Sequence, residues 1–292
     1  MPDYRYRLVD VFTQVPLQGN QLAVFPDAVG LGDESMQGIA REFNLPETTF
    51  VFPASLMNCQ ADVRIFTPAR EMRFAGHPTI GTSYVLLDEG RIPSAVTEFS
   101  LQEKIGAVQV RVARAEGDLI WLHTPEIEWG KTYDPHQCAK ALGLAVADLM
   151  EQAPQRLSAG NPTLYIALKN QEAVDRSSLG TDGMRALRGA EPEPFCVYVF
   201  APTSSGAYSR MFAPDYGITE DPATGSSAGP LAAYMVKHQL VSAAAGARFI
   251  IEQGVRMLRR SLLHAQIKGP SGSNGIDVGG HVTPIGEGRI RF

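Results

Sequence analysis

Two hydrophobic rhythms alternate along the chain. Residues 4–12, 22–25, 48–52 and 61–66 are rich in β-branched and aromatic side chains and are separated by turn formers such as Pro16 and Gly19, so they predict strands. Residues 4–12 and 22–25 are spaced as a β-hairpin. Residues 33–43 instead place Met36, Ile39, Ala40 and Phe43 on one face, an amphipathic helix that stops before Asn44-Leu45-Pro46. The run opened by Pro78 continues through Ser83, Tyr84, Val85, Leu86 and Leu87 with no charge until Asp88, and a helix apolar all round is buried. Three more strands are predicted at 97–101, 107–113 and 119–123, spaced by Gly106 and Gly117 as in an antiparallel meander. Strands wrapped around one buried helix is the simplest reading.

The pattern breaks over residues 125–131 and then starts again. Short helices are predicted at 134–142 and 146–152, followed by strands at 163–168, 195–200 and 207–212. A helix at 224–239 carries Leu231, Ala232, Met235, Val236 and, just beyond it, Leu240 at helical spacing. Strands at 248–253, 262–267 and 289–292 complete the series. This predicts two domains, residues 1–127 and 128–285, with a terminal strand at 286–292 that is a candidate to complete the first.

The two halves also match residue by residue. Arg64-Ile65-Phe66-Thr67-Pro68 is echoed by Arg210-Met211-Phe212-Ala213-Pro214. Gly19-Asn20 has a counterpart in Gly160-Asn161, and Thr224 falls on Thr79, which sets Asp221 opposite Gly76. Three short matches in one order indicate duplication.

The candidate chemistry lies where the buried helices begin. Glu220-Asp221-Pro222-Ala223-Thr224-Gly225-Ser226-Ser227-Ala228-Gly229 reads as a strand end, a turn and a first helical turn made of small residues. Uncovered backbone N–H groups and the helix dipole there suit a carboxylate or other anion. Asp221 stands at the lip, where it could equally cap the helix, and Gly225 and Ser226 could be small for packing rather than for a ligand. His77 occupies a Gly-His-Pro-Thr helix start, whose amides disfavour a second positive charge; a neutral imidazole suits proton shuttling, and equally a structural turn. Glu47 follows Pro46 between apolar residues, where it is a candidate general base or a solvated turn residue.

Composition narrows the partners. The 292 residues are 44% hydrophobic and 20% charged, the balance of a globular protein, with a net charge of −5 that argues against nucleic acid. No apolar run is long enough to span a bilayer, and Met1-Pro2-Asp3-Tyr4 lacks a signal-peptide core, so a cytoplasmic protein is expected, without membrane partner. Cys59, Cys138 and Cys196 are odd in number and far apart, which predicts free thiols and no zinc site.

Asn44-Leu45-Pro46-Glu47-Thr48-Thr49-Phe50, Phe74-Ala75-Gly76-His77-Pro78-Thr79-Ile80-Gly81-Thr82 and the Glu220–Gly229 stretch together resemble the PhzF-like family of phenazine-biosynthesis isomerases. The resemblance implies an α+β fold like that of diaminopimelate epimerase: two similar domains, each a barrel-like sheet curled around a central buried helix, with the active site in the cleft between them. Gly76 and Asp221 stand where a two-thiol epimerase carries its cysteines, so a thiol racemase is disfavoured. The resemblance implies Glu47, His77 and Asp221 as catalytic acid/base and hydrogen-bonding residues, and Asn20, Gly76, Gly225 and Ser226 as substrate-binding ones. It implies neither metal nor organic cofactor, and it implies a homodimer.

The expected function is a cofactor-independent isomerase that moves a proton on a small carboxylate-bearing metabolite such as trans-2,3-dihydro-3-hydroxyanthranilate. Pro46, Gln21 and Leu258-Arg259-Arg260-Ser261 depart from the family's usual Ser, Pro and Gly-Arg-Pro-Ser and bear on the substrate. The competing expectation is a non-catalytic metabolite-binding protein. A hydrolase using Ser226 or Ser227 is weaker, because no Gly-x-Ser-x-Gly elbow surrounds either.

Overall fold

The computed structural model describes residues 3–269 and 275–291. The chain forms two compact units, one of residues up to His123 together with those from Gly279 onward, the other of Thr124–Val278. Phe292, the last residue of the predicted terminal strand, lies outside the described residues.

The first unit contains β1 (Asp3–Val11), β2 (Asn20–Phe25), α1 (Asp33–Phe43), β3 (Glu47–Phe52), β4 (Ala61–Phe66), β5 (Glu71–Met72), α2 (Gly76–Asp88), β6 (Glu98–Glu103), β7 (Gly106–Ala113), β8 (Leu119–His123) and, from the chain's end, β18 (Val282–Arg291). Neighbouring strands pair antiparallel except at β2–β3 and β4–β6, which are parallel. The sheet curls about α2, whose residues from Gly76 to Ser83 are all buried. Gly81 is required there: a Cβ would stand 2.6 Å from a Leu22 methyl and 2.9 Å from a Val11 methyl, so α2 lies against β1 and β2 at a separation no larger residue permits. On the other face of the sheet α1 buries Met36, Ile39 and Ala40 against Phe25, Phe50 and Phe66.

The second unit contains β9 (Glu128–Thr132), α3 (Pro135–Ala141), β10 (Gln155–Ser158), β11 (Thr163–Ala167), α4 (Gln171–Arg176), α5 (Thr181–Arg188), β12 (Cys196–Thr203), β13 (Gly206–Ala213), β14 (Ile218–Asp221), α6 (Gly225–Lys237), β15 (Arg248–Gln253), β16 (Ser261–Ile267) and β17 (Ile276–Gly280), within which the chain passes back to the first unit. The pairing scheme repeats: β11–β12 and β13–β15 are parallel, and β12–β13 and β15–β16 antiparallel. Residues Gly225–Met235 of α6 are all buried.

The predicted duplication extends to side chains. Arg64 makes a two-pronged pair with Glu71 at 2.7 and 2.8 Å, and Arg210 one with Glu220 at 2.9 and 2.7 Å. Each guanidinium also lies over the aromatic ring two residues on, Phe66 at 5.2 Å and Phe212 at 4.9 Å.

Several expectations are corrected. Residues 146–152 form no helix beyond the single 3-10 turn Val146–Asp148, because the chain there bridges to Leu168 as extended backbone. Residues 128–132, where the hydrophobic pattern breaks, are the exposed strand β9, whose polar residues hide the alternation. The last strand begins at Val282 rather than 289; Pro284, Gly286 and Gly288 disguise it, and its register with β1 shifts by one residue at Ile285, between the Leu8–Gly286 and Val9–Pro284 pairs. The short helices α4 and α5 and the strand β10, each eight residues or fewer, are not among the predicted elements. The three cysteines are free and buried, as expected.

Candidate active site

In the first unit three polar residues far apart in sequence converge. Gly19, at φ +69°, turns the chain so tightly that a Cβ would stand 2.3 Å from the Val11 carbonyl oxygen, and this delivers Asn20 as the first residue of β2. Asn44, in the left-handed conformation at φ 48°, ends α1 and turns the chain through Leu45-Pro46 so that Glu47 opens β3. Because β2 and β3 run parallel, with Leu22 opposite Glu47, both strand starts lie at the same end of the sheet. The start of α2 brings Gly76 and His77 there as well.

Glu47 Oε2 is 3.2 Å from His77 Nε2, and Asn20 Nδ2 is 3.3 Å from His77 Nδ1. The His77 side chain is 5% exposed and that of Glu47 13%. Burial pushes the imidazole down to about 3 from its usual 6.5, against a hydrogen bond with the Gln21 backbone that favours the protonated ring. His77 is therefore neutral at physiological pH, as its helix-start position suggested. The two facing atoms approach to 3.2 Å without meeting hydrogen-bond geometry, a separation from which a small tightening on substrate binding would let a proton pass between them.

In the second unit Asp221, Gly225 and Ser226 gather at the start of α6. Asp221 ends β14, and the cap position of α6 is Thr224, three residues on, which carries no side-chain cap. The Thr224 hydroxyl donates to Asp221 Oδ2 at 2.5 Å. Neither α2 nor α6 carries a side-chain cap at its start, the condition for backbone amides to hold an anion.

Three residues that the sequence did not single out for a role support this corner. Gln253, fully buried, donates from Nε2 to the Asp221 carbonyl at 2.7 Å and to Thr224 Oγ1 at 3.1 Å. Its Oε1 accepts from the Tyr198 hydroxyl at 2.6 Å and from the Thr224 N–H at 3.2 Å, so both ends of the amide are used. Asn161 Nδ2 donates to Ser226 Oγ at 3.1 Å, much as Asn20 approaches His77. The paired Gly-Asn dipeptides were the one signal that pointed to Asn161. Ser227 is turned toward Thr163, 3.0 Å between hydroxyl oxygens, and neither Ser226 nor Ser227 contacts a histidine in these bonds, which gives the nucleophile reading no geometry.

The sequence model of the family described as phenazine biosynthesis-like protein matches residues 9–288. The chain belongs to this PhzF-like family. It is 34% identical to the trans-2,3-dihydro-3-hydroxyanthranilate isomerase of Pseudomonas aeruginosa, over 98% of this chain and 99% of that protein. Among solved structures, a Bacillus anthracis phenazine biosynthesis protein of the PhzF family superposes with a TM-score of 0.89 at 24% identity, covering all of both chains. A predicted epimerase from Pseudomonas aeruginosa superposes with a TM-score of 0.83 at 32% identity, covering 98% of this chain and 99% of that one. The PhzF-like chain is thus an isomerase with the expected α+β, epimerase-like fold. No helix among its described residues is long and apolar enough to cross a membrane.

Proposed function

We propose that this PhzF-like isomerase moves a proton between carbons of a small, carboxylate-bearing, conjugated metabolite, with trans-2,3-dihydro-3-hydroxyanthranilate the first substrate to test. The observation that carries the reading is the approach of half-buried Glu47 to buried His77, 3.2 Å apart, with Asn20 on the far ring nitrogen. Glu47 is the base that removes the substrate proton; His77, neutral and buried, exchanges a proton with it and so lets one carboxylate both take and return. Asn20 and the Gly76 amide hold the substrate beside them. In the second unit Asp221 is a hydrogen-bonding acid/base, and Gly225 and Ser226, at the uncapped start of α6, hold a carboxylate. A conjugated substrate delocalises the charge left by proton removal, so the reading needs neither metal nor organic cofactor.

The test is incubation in D₂O with trans-2,3-dihydro-3-hydroxyanthranilate, following isomerisation and deuterium uptake by NMR. Turnover by the wild type that is lost in Glu47→Gln supports the reading; equal turnover by the variant removes Glu47 as the base. No turnover by wild type moves the search to other cyclic carboxylates and amino acids, with Pro46 the first residue to revert to the family's usual Ser. We further place the protein in the cytoplasm, where three buried free thiols stay reduced, as a homodimer that acts on a small molecule and not on nucleic acid. Light scattering that finds a monomer at working concentration removes the dimer.

A further inference from the structure

The duplication makes an assignment at the start of α2 that neither half makes alone. In the first unit β4 pairs in parallel with β6 through Ala61 and Leu101, Asp62 and Gln102; in the second, β13 pairs in parallel with β15 through Ala207 and Ile251, Tyr208 and Glu252. The Arg64–Arg210 match sets Ala61 on Ala207, so Leu101 falls on Ile251 and Glu103 on Gln253. Both strands end at that residue, and both alternate identically between buried and open positions. Each residue reaches the threonine at the matched helix start: Gln253 to Thr224, and Glu103 Oε1 to Thr79 Oγ1 at 2.5 Å.

Two contacts at Thr79 Oγ1 need two protons if both are hydrogen bonds. Thr79 Oγ1 is also 2.7 Å from the Ala75 carbonyl oxygen, which can only accept, and the hydroxyl has a single proton to give. If that proton goes to Ala75, the proton in the Thr79–Glu103 contact must come from Glu103. In the second unit the same order holds, the Gln253 amide donating to Thr224 and Thr224 donating onward to Asp221. Glu103 is 4% exposed, and among the described residues its Oε2 has no hydrogen-bond partner and Thr79 is its only bonded neighbour. An ionised carboxylate so placed would be stranded; a neutral acid is not.

We propose that Glu103 is held as the neutral acid and serves as the positioning residue for the α2 start, donating its carboxyl proton to Thr79 and so setting the turn that carries His77. The role of His77 rests on the function proposed above; the protonation of Glu103 does not. Burial also drives the Glu103 carboxyl up to about 8, well above the usual carboxylate range. The charged groups on the adjoining chain are otherwise engaged: Lys104 pairs with Glu71, Glu71 with Arg64, and Asp62 lies on the alternate face of β4, beside Gln102. His77, two residues before Thr79, is neutral.

Two measurements on the resting protein test this without any substrate. Infrared difference spectra between wild type and Glu103→Gln near pH 7 are expected to show a protonated-carboxyl C=O stretch present only in wild type; a carboxylate band in its place overturns the assignment. With ¹⁵N-labelled histidine, the His77 ring signals of wild type are expected to shift with a midpoint near pH 8 and to stay flat in Glu103→Gln. A flat wild-type trace, or the same shift in the variant, removes the positioning role. Failure of the isomerase assay leaves both readouts standing, so the two ideas fall separately.

Discussion

Glu47 and His77 meet at 3.2 Å although 30 residues separate them, and Asn20 closes on the other side of the same imidazole. Two parallel strand starts and one helix start supply the three groups, each fixed by its own turn. Burial keeps the ring neutral, so Glu47 faces an uncharged imidazole rather than an imidazolium.

Replacing Glu47 by Gln preserves size and hydrogen bonding but removes the base. Turnover is expected to fall by about 10²–10⁴-fold, the usual worth of a general base, while the melting temperature stays close to wild type. Steady-state kinetics beside thermal melts separate this outcome from loss of fold.

The neutral His77 ties stability to acid. Its folded pKa of about 3 lies below the ordinary 6.5, so the unfolded chain binds the proton more readily and the native state is favoured above pH 6.5. That contribution is lost as pH falls from about 6.5 toward 3, with a slope of about 1.4 kcal/mol per pH unit. Urea unfolding of wild type and His77→Asn across this range is expected to show a flatter acid limb in the variant.

Glu103 has the opposite sign. Its carboxyl titrates near 8 in the folded state and near 4.5 unfolded, so the native state holds the proton more tightly and stability drains away as pH rises through that window. Glu103→Gln is expected to be the more stable protein at pH 9, with the difference shrinking toward pH 5. Denaturation curves at the two pH values check it.

Gln253 links the Asp221 corner to the sheet. Gln253→Leu leaves the Tyr198 hydroxyl, the Thr224 N–H and the Asp221 carbonyl without this partner, which is expected to cost roughly 2–5 kcal/mol and to lower activity through displacement of Asp221. Gln253→Glu, which copies the first unit, is expected to cost less at pH 6 than at pH 9. Unfolding free energies and kcat for both variants test this pair of outcomes.

Close packing of the central helix leaves no room for a side chain at residue 81. Gly81→Ala puts a methyl within 2.6 Å of Leu22 and is expected to destabilise by about 1–3 kcal/mol as α2 moves off β1 and β2. Because His77 rides on the first turn of α2, activity should fall further than the melting temperature alone explains. Thermal melts and kcat measured on the same preparation check both effects.

The strand and helix rhythm, the charge-free stretches that became α2 and α6, and the paired Gly-Asn and helix-start motifs were all legible in the order of residues, because burial and turn chemistry act over a few neighbours. The exposed β9 and the glycine-rich β18 were not, since their extended form is imposed by β10 and β1 and not by their own side chains. Glu47 read from its neighbours as either a general base or a solvated turn residue, and the parallel pairing of β2 and β3 is what sets it beside His77. What only the tertiary structure decided was which polar groups lose their water together: that depends on strand register and helix approach across tens of residues, and it is desolvation in that company that leaves His77 neutral and raises the carboxyl of Glu103.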